Sequence, residues 1–113
     1  MRVQNLTRDL RLAESAEIAD TSSKRRTGLL KHESLPPGRG LWIVPCEAVH
    51  TFGMKFAIDV VFLDKTRNIL KIRAAMRPRR IAVCLRAHSV LELPAGTVVA
   101  TGTSPGDQLS FET

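Results

Sequence analysis

The 113-residue chain has no tyrosine, one tryptophan and four phenylalanines. Platforms on which single-stranded bases stack are therefore scarce. Cys46 and Cys84 are the only cysteines, too few for a disulfide framework, and in a reducing compartment both remain free thiols. No apolar run approaches the roughly 18 residues of a membrane-spanning helix. The opening residues, Met1 to Asp9, are polar and lack the apolar core of a secretory signal. A cytoplasmic location without a membrane span is the expectation. No glycine-rich loop opens a helix after a strand, which excludes a Rossmann or P-loop domain. Internal repeats and low-complexity tracts are also missing.

What remains is a chain that is 43% hydrophobic, enough to bury a core without staples, and of a length that predicts a single domain over residues 1–113. Its formal charge of +6 attracts polyanions in general.

Scattered apolar positions from Val3 to Leu12 predict one or two short strands, and Ala16 to Ala19 alternates as a strand. Asp20 to Ser23 is a cluster of helix N-cap residues, predicting a helix over Ser23 to Leu30 capped by Thr21 or Ser22. Lys24, Arg25 and Arg26 then sit early in that helix, against the dipole preference, and serve something other than helix stability. Ser34 to Gly40 carries two prolines and two glycines and reads as a loop. Leu41 to Val44 is a strand stopped by Pro45. Val49 to Phe52 is extended, Gly53 allows a bend, and Phe56 to Leu63 is a strand. In the latter, Ile58, Val60 and Phe62 face one way, Val61 and Leu63 the other. Both faces are apolar, so this strand belongs inside a sheet.

Asp64 to Asn68 turns the chain into a hairpin with Ile69 to Ile72. Met76 to Arg80 is a basic loop. Ile81 to Leu85 and Ser89 to Leu93 are further strands. Ala95 to Thr101 is ambiguous between a strand and one helical turn. Pro105 and Gly106 centre a turn before a closing strand, Gln108 to Phe111. Several short strands with frequent turns predict a mainly β, compact, antiparallel sandwich or barrel-like domain with one or two short helices. An α+β roll is the alternative.

The chemistry concentrates between Cys46 and Asp64. Cys46, His50 and Met54 are four apart, which on a helix would stack them as soft-metal ligands. Pro45, Val49, Thr51 and Gly53 oppose a helix. In a strand the three spread over roughly 13 Å, and no fourth ligand is in sight for zinc. No metal and no cofactor is therefore expected. Cys46 with His50 is a candidate thiolate–imidazole pair, with Asp59 or Glu92 to orient the base. Nothing marks an oxyanion hole. Asp59 and Glu92 each interrupt an apolar strand, and a buried carboxylate must find partners or take up a proton. Most such groups are structural anchors; some are acids or bases of a site. Glu47 reads as exposed. Arg77, Arg79, Arg80 and Arg86, with Lys24 to Arg26 if the two segments meet, offer a basic patch for a phosphate, a carboxylate or a nucleic-acid backbone.

Gly28 to Leu30, Gly40 to Ile43, Val49 to Asp64, Val90 to Gly96 and Gly106–Asp107, in that order, resemble the bacterial and archaeal domain-of-unknown-function 192 family. The resemblance runs from about Ala19 to the C-terminus. It implies a small β-rich, sandwich-like domain with short helices, and no reaction, because the family has no established activity. It implies recurrent polar positions at His50, Met54, Asp59, Asp64, Glu92 and Asp107. Many members carry a tryptophan before the methionine, where this chain has Gly53. Many are also exported behind a leader, which the sequence here does not show.

These observations favour a non-enzymatic binding or accessory domain for a small anionic ligand. Its site is expected near Cys46 to Met54, formed by His50, Met54 and Glu92 with Arg77, Arg79 and Arg80 at the rim. A hydrolase or transferase using Cys46–His50 or Asp59/Glu92 is the first alternative. Nucleic-acid binding through the Arg77–Arg80 loop is the second.

Overall fold

The computed structural model describes residues 1–113. Ten strands and two short helices follow one another as β1 (Arg2–Asn5), β2 (Leu10–Ala13), β3 (Ser15–Ala19), α1 (Ser22–Thr27), β4 (Arg39–Ile43), β5 (Ala48–His50), β6 (Ile58–Leu63), β7 (Ile69–Met76), β8 (Ile81–Val83), β9 (Ser89–Pro94), α2 (Thr97–Thr101) and β10 (Leu109–Glu112). The strands form a five-stranded sheet ordered β3-β4-β9-β6-β7, a three-stranded sheet ordered β10-β1-β2, and a β5-β8 ribbon. The expected mainly β architecture is present, as stacked open sheets rather than a closed barrel. One pairing departs from the antiparallel expectation: β3 runs parallel to β4, because α1 and the proline-rich loop after it carry the chain back across the sheet between them. No helix is long and apolar enough to cross a membrane.

All six residues of β6 are buried, and β6 lies between β9 and β7. Alternation sends its side chains to two cores. Ile58, Val60 and Phe62 pack with Leu29, Val49 and Ala82. Val61 and Leu63 pack with Val3, Leu12, Val98 and Leu109. One face of the large sheet is thus covered by the three-stranded sheet and α2, the other by the segment after α1 and the β5-β8 ribbon. Each fully buried aliphatic or aromatic side chain in these layers contributes about 1.5–3 kcal/mol.

The helix after Asp20 is shorter than the sequence predicts. Thr21 caps it, its hydroxyl accepting from the Lys24 amide at 3.2 Å, but Gly28 adopts a φ of +49° and ends it. Lys24, Arg25 and Arg26 therefore fall in the last turn of a six-residue helix, where cations suit the dipole. The expected conflict with helix polarity does not exist. The strand over Phe56 to Leu63 starts two residues late, at Ile58, and β7 continues past Ile72 to Met76.

Asp59 shows why residues 95–101 are helical at their end. Its carboxylate is fully buried and accepts from the Ala75 amide at 2.8 Å, the Val98 amide at 2.9 Å and the Gly96 amide at 3.3 Å. Gly96 stands at the α2 N-cap and offers no side chain of its own; Asp59 supplies the acceptor from across the sheet. Ala75 has a φ of +49° opposite a register shift in β6, so the same carboxylate also pins a bulge. Replacing Asp59 with alanine orphans three amide donors and should cost about 3 kcal/mol. Asp59→Asn should cost less but still destabilise, since its NH2 cannot serve the Val98 amide. Urea denaturation midpoints measure both; a parent-like midpoint for Asp59→Ala would refute the anchor.

Candidate functional site

β5 is a three-residue strand that sends Val49 into the core against Ala82 of β8, leaving His50 on the opposite, exposed side. Cys46, just upstream, bonds its amide to the His88 carbonyl at 3.0 Å and its thiol to the Ala48 carbonyl at 3.2 Å. Between this segment and α1 opens a cavity of about 580 Å³. Cys46, His50, Met54 and Glu92 all line it. Four residues singled out in the sequence therefore share one concavity. Leu29, Ile43 and Val49 supply apolar wall, and Arg25 and Arg26 of α1 supply the positive charge.

Arg25 is held in place. Its guanidinium donates to the Asp20 carbonyl at 3.2 Å, to the Val44 carbonyl at 3.5 Å and to the Ser22 hydroxyl at 3.4 Å. The sequence had a signal for it, three adjacent basic residues on one short helix, but nothing to say that α1 folds over β5.

Glu92 sits in β9 opposite Leu41 of β4 and Val60 of β6, so paired strands fix its backbone on both sides. It is only 4% exposed. Burial alone pushes its carboxyl up to about 7, with no hydrogen bond or ion pair pulling it back. Asp59 lies opposite Leu93. Directly paired residues share a face, so Glu92 goes with Val60 and Asp59 with Leu93 on the other side. The Asp59/Glu92 acid–base pair is excluded by this register: the sheet itself separates the two carboxyls.

Burial raises the Cys46 thiol above its ordinary value, and the charges of Glu92 and Glu47 push the same way, against its bond to Ala48 and the charge of Arg25. The thiol hydrogen is directed at Ala48, and the His50 ring lies 5.9 Å from that of Phe52. No three Cys, His, Asp or Glu side chains gather as ligands of one ion.

Arg77, Arg79 and Arg80 do not form the rim expected of them. They line a separate concavity of about 560 Å³ with Gly53, Met54 and Pro78. Thr51 fixes this loop: its hydroxyl donates to the Arg77 carbonyl at 2.6 Å and accepts from the Arg80 amide at 2.9 Å. Its amide donates to the Arg80 carbonyl and its carbonyl accepts from the Arg79 amide. Those bonds tie the loop to the residue that follows β5. Met54 borders both concavities.

The other carboxylates are spent on structure. Asp64 accepts from the amides of Thr66 and Asn68, both at 2.9 Å; burial raises its carboxyl, but these bonds and those of the two side chains outweigh it and lower it. Asp107 is lowered chiefly by Arg8 at 2.9 Å, with help from Asn5 and Ser104, each at 3.0 Å, and so ties the turn before β10 to the end of β1.

A raised carboxyl carries a sign. Glu92 moves from 4.5 to about 7 on folding, so the folded chain holds a proton that the unfolded chain has released. Stability is fully present below pH 4.5 and declines as pH rises through 7, by roughly 3 kcal/mol for one group so displaced. Glu92→Gln should flatten that decline and exceed the parent in stability above pH 7; parallel pH–stability curves for the two would contradict it. Iodoacetamide should label Cys46 no faster than Cys84 at neutral pH, as a protonated thiol requires.

Residues 3–111 match the DUF192 family, described as uncharacterized ACR. The match extends the resemblance from Ala19 back into β1, in keeping with the cover that β1 and β2 give one core. A UPF0127 protein from Thermococcus sibiricus is 32% identical over 102 residues, covering 85% of this chain and 65% of its own length. One from Pyrococcus abyssi is 31% identical over 116 residues and covers 96% of both chains. The chain thus spans just under two thirds of the Thermococcus relative and nearly all of the Pyrococcus one. Two crystal structures share the fold. A protein of unknown function from Novosphingobium aromaticivorans superposes with a TM-score of 0.83 at 22% identity, covering 97% of this chain and 82% of the other. A protein from Sinorhizobium meliloti described as a putative transcription regulator does so with a TM-score of 0.81 at 27% identity, covering 96% and 89%.

Proposed function

The chain belongs to the DUF192 family, and from that premise we propose that it is a binding domain, not an enzyme, whose cavity between α1 and β5 takes a small anionic ligand. The observation that carries this reading is the set Arg25, Arg26, His50, Met54 and Glu92 around one concavity of about 580 Å³, a size in the range of small-molecule sites. Arg25 and Arg26 are the groups that would meet the anion, forked donors suited to a carboxylate or phosphate. The six polar positions implied by the family resemblance divide in support of it. Asp59, Asp64 and Asp107 are occupied in anchoring backbone and chain ends. His50 and Glu92 have no such employment and line the cavity, as does Met54 from its place in the core. The raised thiol of Cys46 and the separation of Asp59 from Glu92 weigh against the hydrolase or transferase alternative.

Thermal unfolding with millimolar phosphate, sugar acids or nucleotides tests it. At least one anion should raise Tm by several degrees, as ligand in excess over Kd stabilises by a few kcal/mol. Arg25→Ala with Arg26→Ala should abolish the shift. An Arg77, Arg79 and Arg80 triple alanine variant should retain it. No shift with any anion would defeat the proposal, and loss only in the triple variant would move the site to the loop.

That loop supports a second reading, nucleic-acid binding. Three arginines converge there on a rigid support, and the S. meliloti relative is described as a putative transcription regulator. Phosphate contacts of this kind predict an affinity for mixed-sequence duplex that falls steeply with salt. A flat salt response, or no mobility shift at low salt, would dismiss it.

A further inference from the structure

Within the cavity, Glu92 is a group without a partner. Its backbone is fixed between β4 and β6, and the residue is almost wholly buried. Its neighbours across the ladder, Leu41 and Val60, are apolar and buried. Arg25 commits three of its five N–H donors to Asp20, Ser22 and Val44 and none to Glu92, which leaves its Nε–H and one Nη2–H for a ligand. A carboxyl so enclosed is costly unless something donates to it, and it lines the cavity. The concavity therefore has two poles: a cationic wall from α1 and an acidic floor from β9, with Leu29, Ile43 and Val49 between them as apolar surface.

We propose that the ligand is a small zwitterion of dipeptide size, whose carboxylate meets Arg25 and Arg26 and whose primary ammonium meets the Glu92 carboxylate. This deepens the anion-binding reading and rests on it. Charge complementarity selects the class. A simple anion would satisfy the α1 wall and leave Glu92 unpaired. A simple cation would do the reverse. An ammonium seated on Glu92 forms a charge-assisted hydrogen bond in a desolvated setting, where such bonds are strong. The volume of about 580 Å³ accommodates two residues with apolar side chains better than a single inorganic ion.

Pairing with an ammonium requires the ionised form of Glu92. Since burial holds that carboxyl at about 7, binding at pH 6 should release close to one proton. Cys46, Glu47, His50, Arg25 and Arg26 face the same cavity, so the Glu92→Gln variant is needed to assign the proton.

Isothermal titration with the dipeptide methionyl-leucine, its N-acetyl form and its C-terminal amide separates the poles. The free dipeptide should bind. N-acetylation, which removes the ammonium, should weaken binding by about tenfold or more. In Glu92→Gln that discrimination should disappear, and the proton release, read from buffers of different ionisation heat, should vanish with it. Equal binding of the free and N-acetyl forms would overturn the zwitterion while leaving the anion site standing. Equal binding of the free and amidated forms would overturn the anion site as well. Binding by none of the three, beside a Tm shift with phosphate or a sugar acid, would refute the zwitterion alone.

Discussion

β6 is buried along its whole length, and that constraint organises the molecule. A strand with two buried faces needs a layer on each side and paired strands at both edges. β9 and β7 supply the edges. The three-stranded sheet and α2 supply one layer, and the α1 segment with the β5-β8 ribbon the other. The second layer is made of short pieces, a six-residue helix and two three-residue strands. Short pieces cannot tile a sheet face completely, and the gap between them is the cavity.

The same constraint decides the fate of two carboxyls that look alike in sequence. Ile58-Asp59-Val60 and Leu91-Glu92-Leu93 each place an acid in an apolar strand. Antiparallel register between β6 and β9 sends Asp59 toward α2 and Glu92 toward α1. On the α2 side three amides await, and the charge is satisfied. On the α1 side the longer side chain meets a gap instead of a helix start, and burial pushes its carboxyl up to about 7. One acid caps a helix and pins a bulge; the other is buried with no donor in the fold to answer it.

Alternation in β6, the Asp64–Asn68 turn and the cap at Thr21 were legible because each depends on residues adjacent in sequence. The placement of Cys46, His50 and Met54 beside Glu92 was also legible, since β5 leads directly into the interior strand. Three things were not. The register that parts Asp59 from Glu92 is a property of two strands some thirty residues apart, invisible to local pattern. The end of α1 turns on the backbone angle of Gly28, and a helix three residues longer would put Lys24 to Arg26 in its first turn instead of its last. The position of the Arg77–Arg80 loop depends on four hydrogen bonds to Thr51, a residue whose side chain carries no sequence signal of that role.

Gly53 borders the concavity of the Arg77–Arg80 loop, next to Met54, which lines both concavities. Its φ is +84°, and a Cβ built there would lie 3.5 Å from Leu30 Cδ2. A side chain at this position would therefore project toward the residues that follow α1, over the ground where Met54 touches both concavities. The family resemblance implies a tryptophan at this position in many members; glycine leaves the space open here, and its positive φ favours glycine over a bulky replacement on this backbone. Met54 lines both concavities, a flexible side chain able to adjust to what lies on either side.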